Sequence, residues 1–187
     1  QRDVLKRKVL GEGAGMLMLE RLSTAQNRGA SIYGEIMGYG MSMDAAPFDQ
    51  PSLGAQGLVR ACDIALKRAQ TNRELIDAIV WAPQGNRQDV KVLDSVEHLF
   101  KGRDQTIPLF TSTFNTGYIE SASAVVSLGA LLHCLSDENQ LMWPQITGVD
   151  TIDTRDFDST IKYVLVMASS DIGYNYALVV RVGVPKA

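Results

Sequence analysis

The side chains with the chemistry of a nucleophile, a base or a metal ligand are few: Cys62 and Cys134, His98 and His133, and the loop carboxylates Asp44, Asp89 and Asp171. A useful thiolate needs a neighbouring base or cation. Neither cysteine stands in a CxxC or Cys/His ligand pattern, so both read as reduced, buried thiols of a cytoplasmic protein. His98 follows an acidic residue in a helical pattern and reads as a solvated surface histidine. His133 closes an apolar helix, where it would cap the last turn or pack at an interface. The three aspartates have the turn and capping character common in loops. Met16, Met18, Met37, Met41 and Met43 read as filling for a core or an interface. No metal site and no cofactor is expected from these spacings.

The 187 residues are 45% apolar and 21% charged, with a net charge of −3, the composition of a globular domain with one sizeable core. Eighteen basic residues face twenty-one acidic ones with no basic run, which gives no reason to expect nucleic acid or an anionic membrane as partner. No apolar stretch approaches the roughly 20 residues needed to span a bilayer. The opening stretch, Gln1-Arg-Asp-Val-Leu-Lys-Arg-Lys8, lacks the apolar centre and cleavage site of a signal peptide. It reads as the middle of a longer polypeptide or as one piece of a cleaved one.

The elements alternate. Residues 14–19, Ala-Gly-Met-Leu-Met-Leu, form an apolar run expected to be a strand covered on both faces. A short helix over 20–28 should stop at Gly29, in a left-handed cap. A strand over 31–39 ends in glycines and a loop holding Pro47 and Pro51. Residues 54–70 carry Leu58, Cys62, Ala65, Leu66 and Ala69 on one helical face. A strand over 78–81 is broken by Pro83 and Gly85, and a helix over 89–100 turns Val92, Val96, Leu99 and Phe100 inward. Residues 106–111 are extended, and 119–135 form a helix apolar or small on nearly every face, hence buried all round. Two strands, 161–168 and 174–182, close the chain. The order β-α-β-α-β-α-β-α-β-β predicts an α/β layer structure with a largely parallel, mixed sheet. A helix without a polar face cannot lie in an outer layer, so this single domain, 1–187, should pack its buried central helix on a second unit of the same build.

The signature Gly11-Glu-Gly-Ala-Gly15 followed by Met16-Leu-Met-Leu-Glu20 resembles the opening of the second half of the β-ketoacyl synthases. The likeness continues through Ala30-Ser-Ile-Tyr-Gly-Glu-Ile-Met-Gly-Tyr-Gly40, Asp44-Ala45, the helix from Gly54, Ile76-Asp-Ala-Ile-Val80, and Gly173 with Asn175. It implies a thiolase-like fold of two similar α/β halves, of which this chain is the C-terminal half. The nucleophilic cysteine of that family belongs to the other half, and neither Cys62 nor Cys134 matches it.

The family's condensation needs a thiolate to hold the acyl chain and imidazole donors to stabilise the enolate and oxyanion. By the resemblance, this half supplies two histidines and a lysine. Here Pro83, in Trp81-Ala-Pro-Gln-Gly-Asn86, stands where the first histidine falls, and proline has no donor to offer. Tyr118, in Asn115-Thr-Gly-Tyr118, replaces the second, and Thr113 occupies the lysine position. A phenol, ordinarily ionising near 10, can donate a hydrogen bond but cannot replace two imidazoles. The loop Ser169-Ser-Asp-Ile-Gly-Tyr-Asn175 keeps Gly173 and Asn175 and loses the family's aromatic gate.

The resemblance therefore implies no catalytic residue in this chain. It points to a ketosynthase-like subunit of the chain-length-factor kind in a type II polyketide or fatty-acid-like synthase, with a role in shaping the acyl tunnel. Its expected partners are an active ketosynthase, a complementary N-terminal half and, through the complex, an acyl carrier protein. Two alternatives stand beside it: the C-terminal part of an active split synthase with Tyr118 and Gln84 as unusual donors, and a degenerate thiolase-like scaffold.

Overall fold

The computed structural model describes residues 9–44, 54–86, 88–103, 107–136, 161–170 and 172–183. The expectations for 1–8, for Ala45, Pro47 and Pro51, for Thr106 and for Asp171 lie outside them.

A five-stranded mixed sheet is the frame, ordered β1-β5-β4-β2-β3. The strands are β1 (Gly34–Met43), β2 (Ala78–Trp81), β3 (Leu109–Phe110), β4 (Tyr163–Ser169) and β5 (Tyr174–Val182). β3, β2 and β4 are parallel, while β5 runs antiparallel to both of its neighbours, β4 and β1. α1 (Leu22–Asn27) precedes β1, and between the strands lie α2 (Gln56–Arg68), α3 (Gln88–Leu99), the single turn α4 (Thr113–Thr116) and α5 (Ser123–Ser136).

The period-two alternation of the strands sorts side chains onto two faces. Ile79, Trp81, Leu165, Met167, Ala177 and Val179 pack with Leu58, Cys62, Ala65 and Leu66 of α2 and Val92 and Leu99 of α3. Ala78, Val80, Val164, Val166 and Val180 turn the other way, onto Leu128, Leu131 and Leu132 of α5. β2 and β4 thus bury side chains on both faces, which is why their sequences are apolar without alternation.

β1 runs four residues further than expected. Gly38 and Gly40 do not end it, because they are where α2 lies closest. A Cβ on Gly40 would sit inside the carbonyl of Ala61, and one on Gly38 inside that of Ala65. Glycine here is a packing requirement, and β1 continues through a bulge between Ile36 and Gly38. The short first helix ends as expected: Gly29 has φ +68° and its N–H donates to the Gln26 carbonyl at 3.0 Å.

One expectation is corrected. Residues 14–19 are not a strand: they form no ladder with any described strand, and Met16, Met18 and Leu19 are 90%, 84% and 69% exposed. The run crosses α5, with Gly15 against Val125 and Val126 and Leu17 near Gly129. The helix expected to be buried all round once a second unit is in place, α5, is covered on one side by the described residues. Ser127, Leu128, Leu131 and Leu132 are buried, its far side is half-buried, and His133 is exposed. The apolar character was read correctly, but what would cover it is not among the described residues. Met16, Met18, Met41 and Met43 are likewise exposed and fill no core of this chain, whereas Met37 packs partly against it.

Candidate functional site

The carboxyl ends of parallel strands collect loops, and in open α/β sheets that end carries the site. Here β2 delivers residues 82–86, β3 delivers 111–119, and β4 delivers the turn to β5.

The first loop is organised by Asp89, in the opening turn of α3. Its carboxylate accepts the N–H of Gln84 at 2.9 Å, of Gly85 at 2.7 Å and of Asn86 at 3.2 Å. The expected turn role of Asp89 is therefore what the structure shows, and a negative side chain suits the first turn of a helix. The Gln84 carboxamide is pinned at both ends: Nε2 donates to the Ser169 carbonyl at 2.9 Å, and Oε1 accepts from Asn86 at 3.0 Å. The β2 loop is thus tied to the end of β4.

The second loop hangs on hydroxyls. Ser127 Oγ of α5 accepts the Ser112 N–H at 3.0 Å, and Ser123 Oγ accepts the Ile119 N–H at 2.9 Å. Thr113 N–H donates to Thr111 Oγ1 at 3.2 Å. Gly117, at φ +71°, turns the chain so that Tyr118 exchanges backbone bonds with the incoming segment. Its N–H reaches the Val9 carbonyl at 2.7 Å, and its carbonyl accepts from Gly11 at 3.1 Å. A Cβ on Gly11 would collide with the Thr116 carbonyl, so the GEGAG run starts with a glycine for a steric reason.

Pro83 and, from a loop remote in sequence, Thr113 and Tyr118 line one cavity of about 300 Å³ with Gln84, Val9, Leu10 and Phe114. Among the described residues lining it, none has a thiol, imidazole, ammonium, guanidinium or carboxylate group. The wall can offer neutral hydrogen bonds from amides, hydroxyls and a phenol. Its described residues supply no thiolate and no general base poised near neutral pH.

The remaining candidates lie elsewhere. Cys62 is fully buried on α2 and its thiol is pushed up to about 12, chiefly by burial, which removes it as a nucleophile. Cys134 is half-buried on α5, and His98 and His133 are exposed in the last turns of α3 and α5. Among the described residues no cluster of three or more His, Cys, Asp or Glu is placed to hold a metal ion, and no helix is long and apolar enough to cross a membrane.

Lys91 was not anticipated. It is fully buried on α3 and ion-paired with Asp44, which is itself 7% exposed. Asn175 Nδ2 donates to the same Asp44 oxygen at 3.2 Å and to the Gly173 carbonyl at 3.1 Å. Gly173 in turn accepts the Asp44 N–H at 2.9 Å, and Ser169 Oγ donates to Asn175 Oδ1 at 3.1 Å. This network ties the end of β1 and α3 to the β4–β5 turn. A signal existed: Lys91 and Ser95, one helical turn apart, share the stripe of Val92 and Leu99.

No family model matches the chain. It is 36% identical over 118 residues to 3-oxoacyl-[acyl-carrier-protein] synthase 2 of Rhizobium meliloti, covering 63% of this chain and 28% of that protein. It is 30% identical over 178 residues to the 3-oxoacyl-[acyl-carrier-protein] synthase homolog of Saccharomyces cerevisiae, covering 91% and 39%. Among solved structures, the ishigamide ketosynthase/chain length factor superposes with a TM-score of 0.71 at 25% identity, over 94% of this chain and 44% of that one. A type II polyketide ketosynthase bound to its acyl-carrier protein gives 0.69 at 21% identity. The fold is thus the thiolase-like fold of the ketosynthases. The chain is similar to a C-terminal part of β-ketoacyl synthases, and it spans less than half the length of these relatives.

Proposed function

We propose that this chain is part of a ketosynthase-like subunit that does not itself condense. In this reading it pairs with an active ketosynthase in a type II polyketide or fatty-acid-like synthase and shapes the tunnel that limits acyl-chain length. One observation carries the reading: where Pro83, Thr113 and Tyr118 meet, the described residues of the cavity wall include no thiol, imidazole or ammonium group. Decarboxylative condensation develops negative charge on an enolate and an oxyanion, and neutral donors alone stabilise it far less than paired imidazoles. A complementary N-terminal half completes the subunit, the carrier protein is met through the complex, and the assembly works in the cytoplasm.

The test uses the assembly that contains this chain, combined with an active ketosynthase and malonyl-loaded carrier protein. Tyr118→Phe should leave the condensation rate within about twofold, whereas removing the ketosynthase's own cysteine should abolish it. A hundredfold loss on Tyr118→Phe, the scale of a missing oxyanion donor, would replace this reading with an active split synthase.

A further inference from the structure

Gln84 lines the cavity of Pro83, Thr113 and Tyr118, and two routes lead from it to the same buried charges. The first runs through the β4–β5 turn. Gln84 Nε2 donates to the Ser169 carbonyl at 2.9 Å, and Ser169 Oγ donates to Asn175 Oδ1 at 3.1 Å. Asn175 Nδ2 donates to Asp44 Oδ2 at 3.2 Å, and Lys91 is ion-paired with that oxygen. The second route runs along α3. Lys91 lies two residues after Asp89, whose carboxylate accepts the Gln84 N–H at 2.9 Å. We propose that the Lys91–Asp44 pair positions Gln84, backbone and carboxamide together, although neither is among the described residues that line the cavity. This positioning holds whether or not the cavity performs condensation.

The direction of each bond follows from the charges. The Asp44 carboxylate and the Gly173 carbonyl can only accept, so Asn175 must turn Nδ2 toward them, at 3.2 and 3.1 Å. Its Oδ1 is then left for Ser169 Oγ, which must donate. The Ser169 carbonyl can only accept, so Gln84 turns Nε2 toward it and Oε1 toward Asn86. Asp44 is itself confined. A Cβ on Gly57 would stand 1.9 Å from its Oδ1, and its N–H donates to the Gly173 carbonyl at 2.9 Å. Lys91, Asp44, Asn175 and Gln84 are all buried, and polar groups satisfied in a dry interior hold one arrangement. The result is a primary amide fixed in one orientation. Among the described residues Ser169 takes one of its two N–H groups, which leaves the other for a ligand's carbonyl or hydroxyl oxygen. A ligand meets such a donor without the cost of ordering it.

The experiment follows the Gln84 side-chain amide by NMR in the intact assembly, with 15N-glutamine in this chain alone and Gln84→Glu to assign the signal. Its hydrogen exchange is read against that of Gln70, which is exposed. In the unaltered chain the Gln84 protons should exchange about tenfold more slowly than those of Gln70. Asp44→Leu/Lys91→Met removes both charges and strands neither, and it should quicken Gln84 exchange about tenfold. Gly57→Ala keeps both charges but displaces Asp44, should quicken the exchange as well, and supplies a second variant should the double one fold poorly. Val164→Ala, on the α5 face, loosens the core without touching either route and should leave Gln84 exchange within about twofold of the unaltered chain. Unchanged protection in either variant that folds overturns the positioning role, whatever happens to stability. Acceleration of the same size in Val164→Ala overturns it too, because the effect would then be a general loosening of the fold. So does an unprotected Gln84 amide in the unaltered chain.

Discussion

The two faces of the sheet differ in how completely the described residues pack against them. On the α2 and α3 face, apolar side chains, close-approach glycines and one buried ion pair are all enclosed by the chain's own helices. On the other face α5 covers β2, β4 and the far part of β5, but cover stops short of β1 and the start of β5. Tyr39, Met41 and Met43 stand opposite Leu178, Tyr176 and Tyr174 in register, and Met41, Met43 and Tyr39 are all more than half exposed. Met16, Leu17, Met18 and Leu19, in the segment that crosses α5, are exposed as well. The first face has the shape of a domain core, and the second keeps apolar side chains exposed among the described residues. The proposed second unit would account for that contrast.

The sharpest way to break the first face is at its closest approach. Gly40→Val must push α2 away from β1, since the Ala61 carbonyl occupies the space. It should cost about 3 kcal/mol or more, read by chemical denaturation. Lys91→Met comes next or equals it, because it strands the buried Asp44 carboxylate, a loss of about 3–5 kcal/mol. Asp44→Asn/Lys91→Met should recover much of that, and a double variant no better than the single would show that the pair is not the cause.

Cys62 gives a smaller and pH-dependent effect on the same face. Its folded thiol titrates at about 12 against an ordinary 9.0, so the folded state holds the proton more tightly. The stability associated with it is complete below about 9 and is lost as pH rises from there toward 12. Cys62→Ala should flatten that part of the stability profile, and alkylation of Cys62 at pH 8 should await unfolding. On the open face the expected effect on the chain's own stability is the smallest. Met41→Thr/Met43→Thr should change it by less than about 0.5 kcal/mol, while weakening association with the completing unit in analytical ultracentrifugation.

The sequence and the structure agree most where an element depends on itself. β2 and β5 fall on their expected residues, and the α2 face of Leu58, Cys62, Ala65, Leu66 and Ala69 is buried as read. They part where a partner decides. Residues 14–19 have strand composition, but a strand is made by the strand beside it, and none is described there. The length of β1 was missed because Gly38 and Gly40 look like breakers until α2 lies on them. Lys91 was missed because a buried lysine makes sense only with Asp44 and Asn175, both remote in sequence. The grouping of Pro83, Thr113 and Tyr118 came from the family resemblance, and the cavity brings those three together. Val9 and Leu10 in its wall were not foreseen, because only the backbone pairing of 9–11 with Tyr118 places them there.

The central claim is that the cavity of Pro83, Thr113 and Tyr118 performs no condensation chemistry, and release of labelled carbon dioxide from malonyl-loaded carrier protein tests it most directly. The subunit containing this chain, purified without its ketosynthase partner, should release it no faster than buffer. Release above that background that falls on Tyr118→Phe would contradict the account.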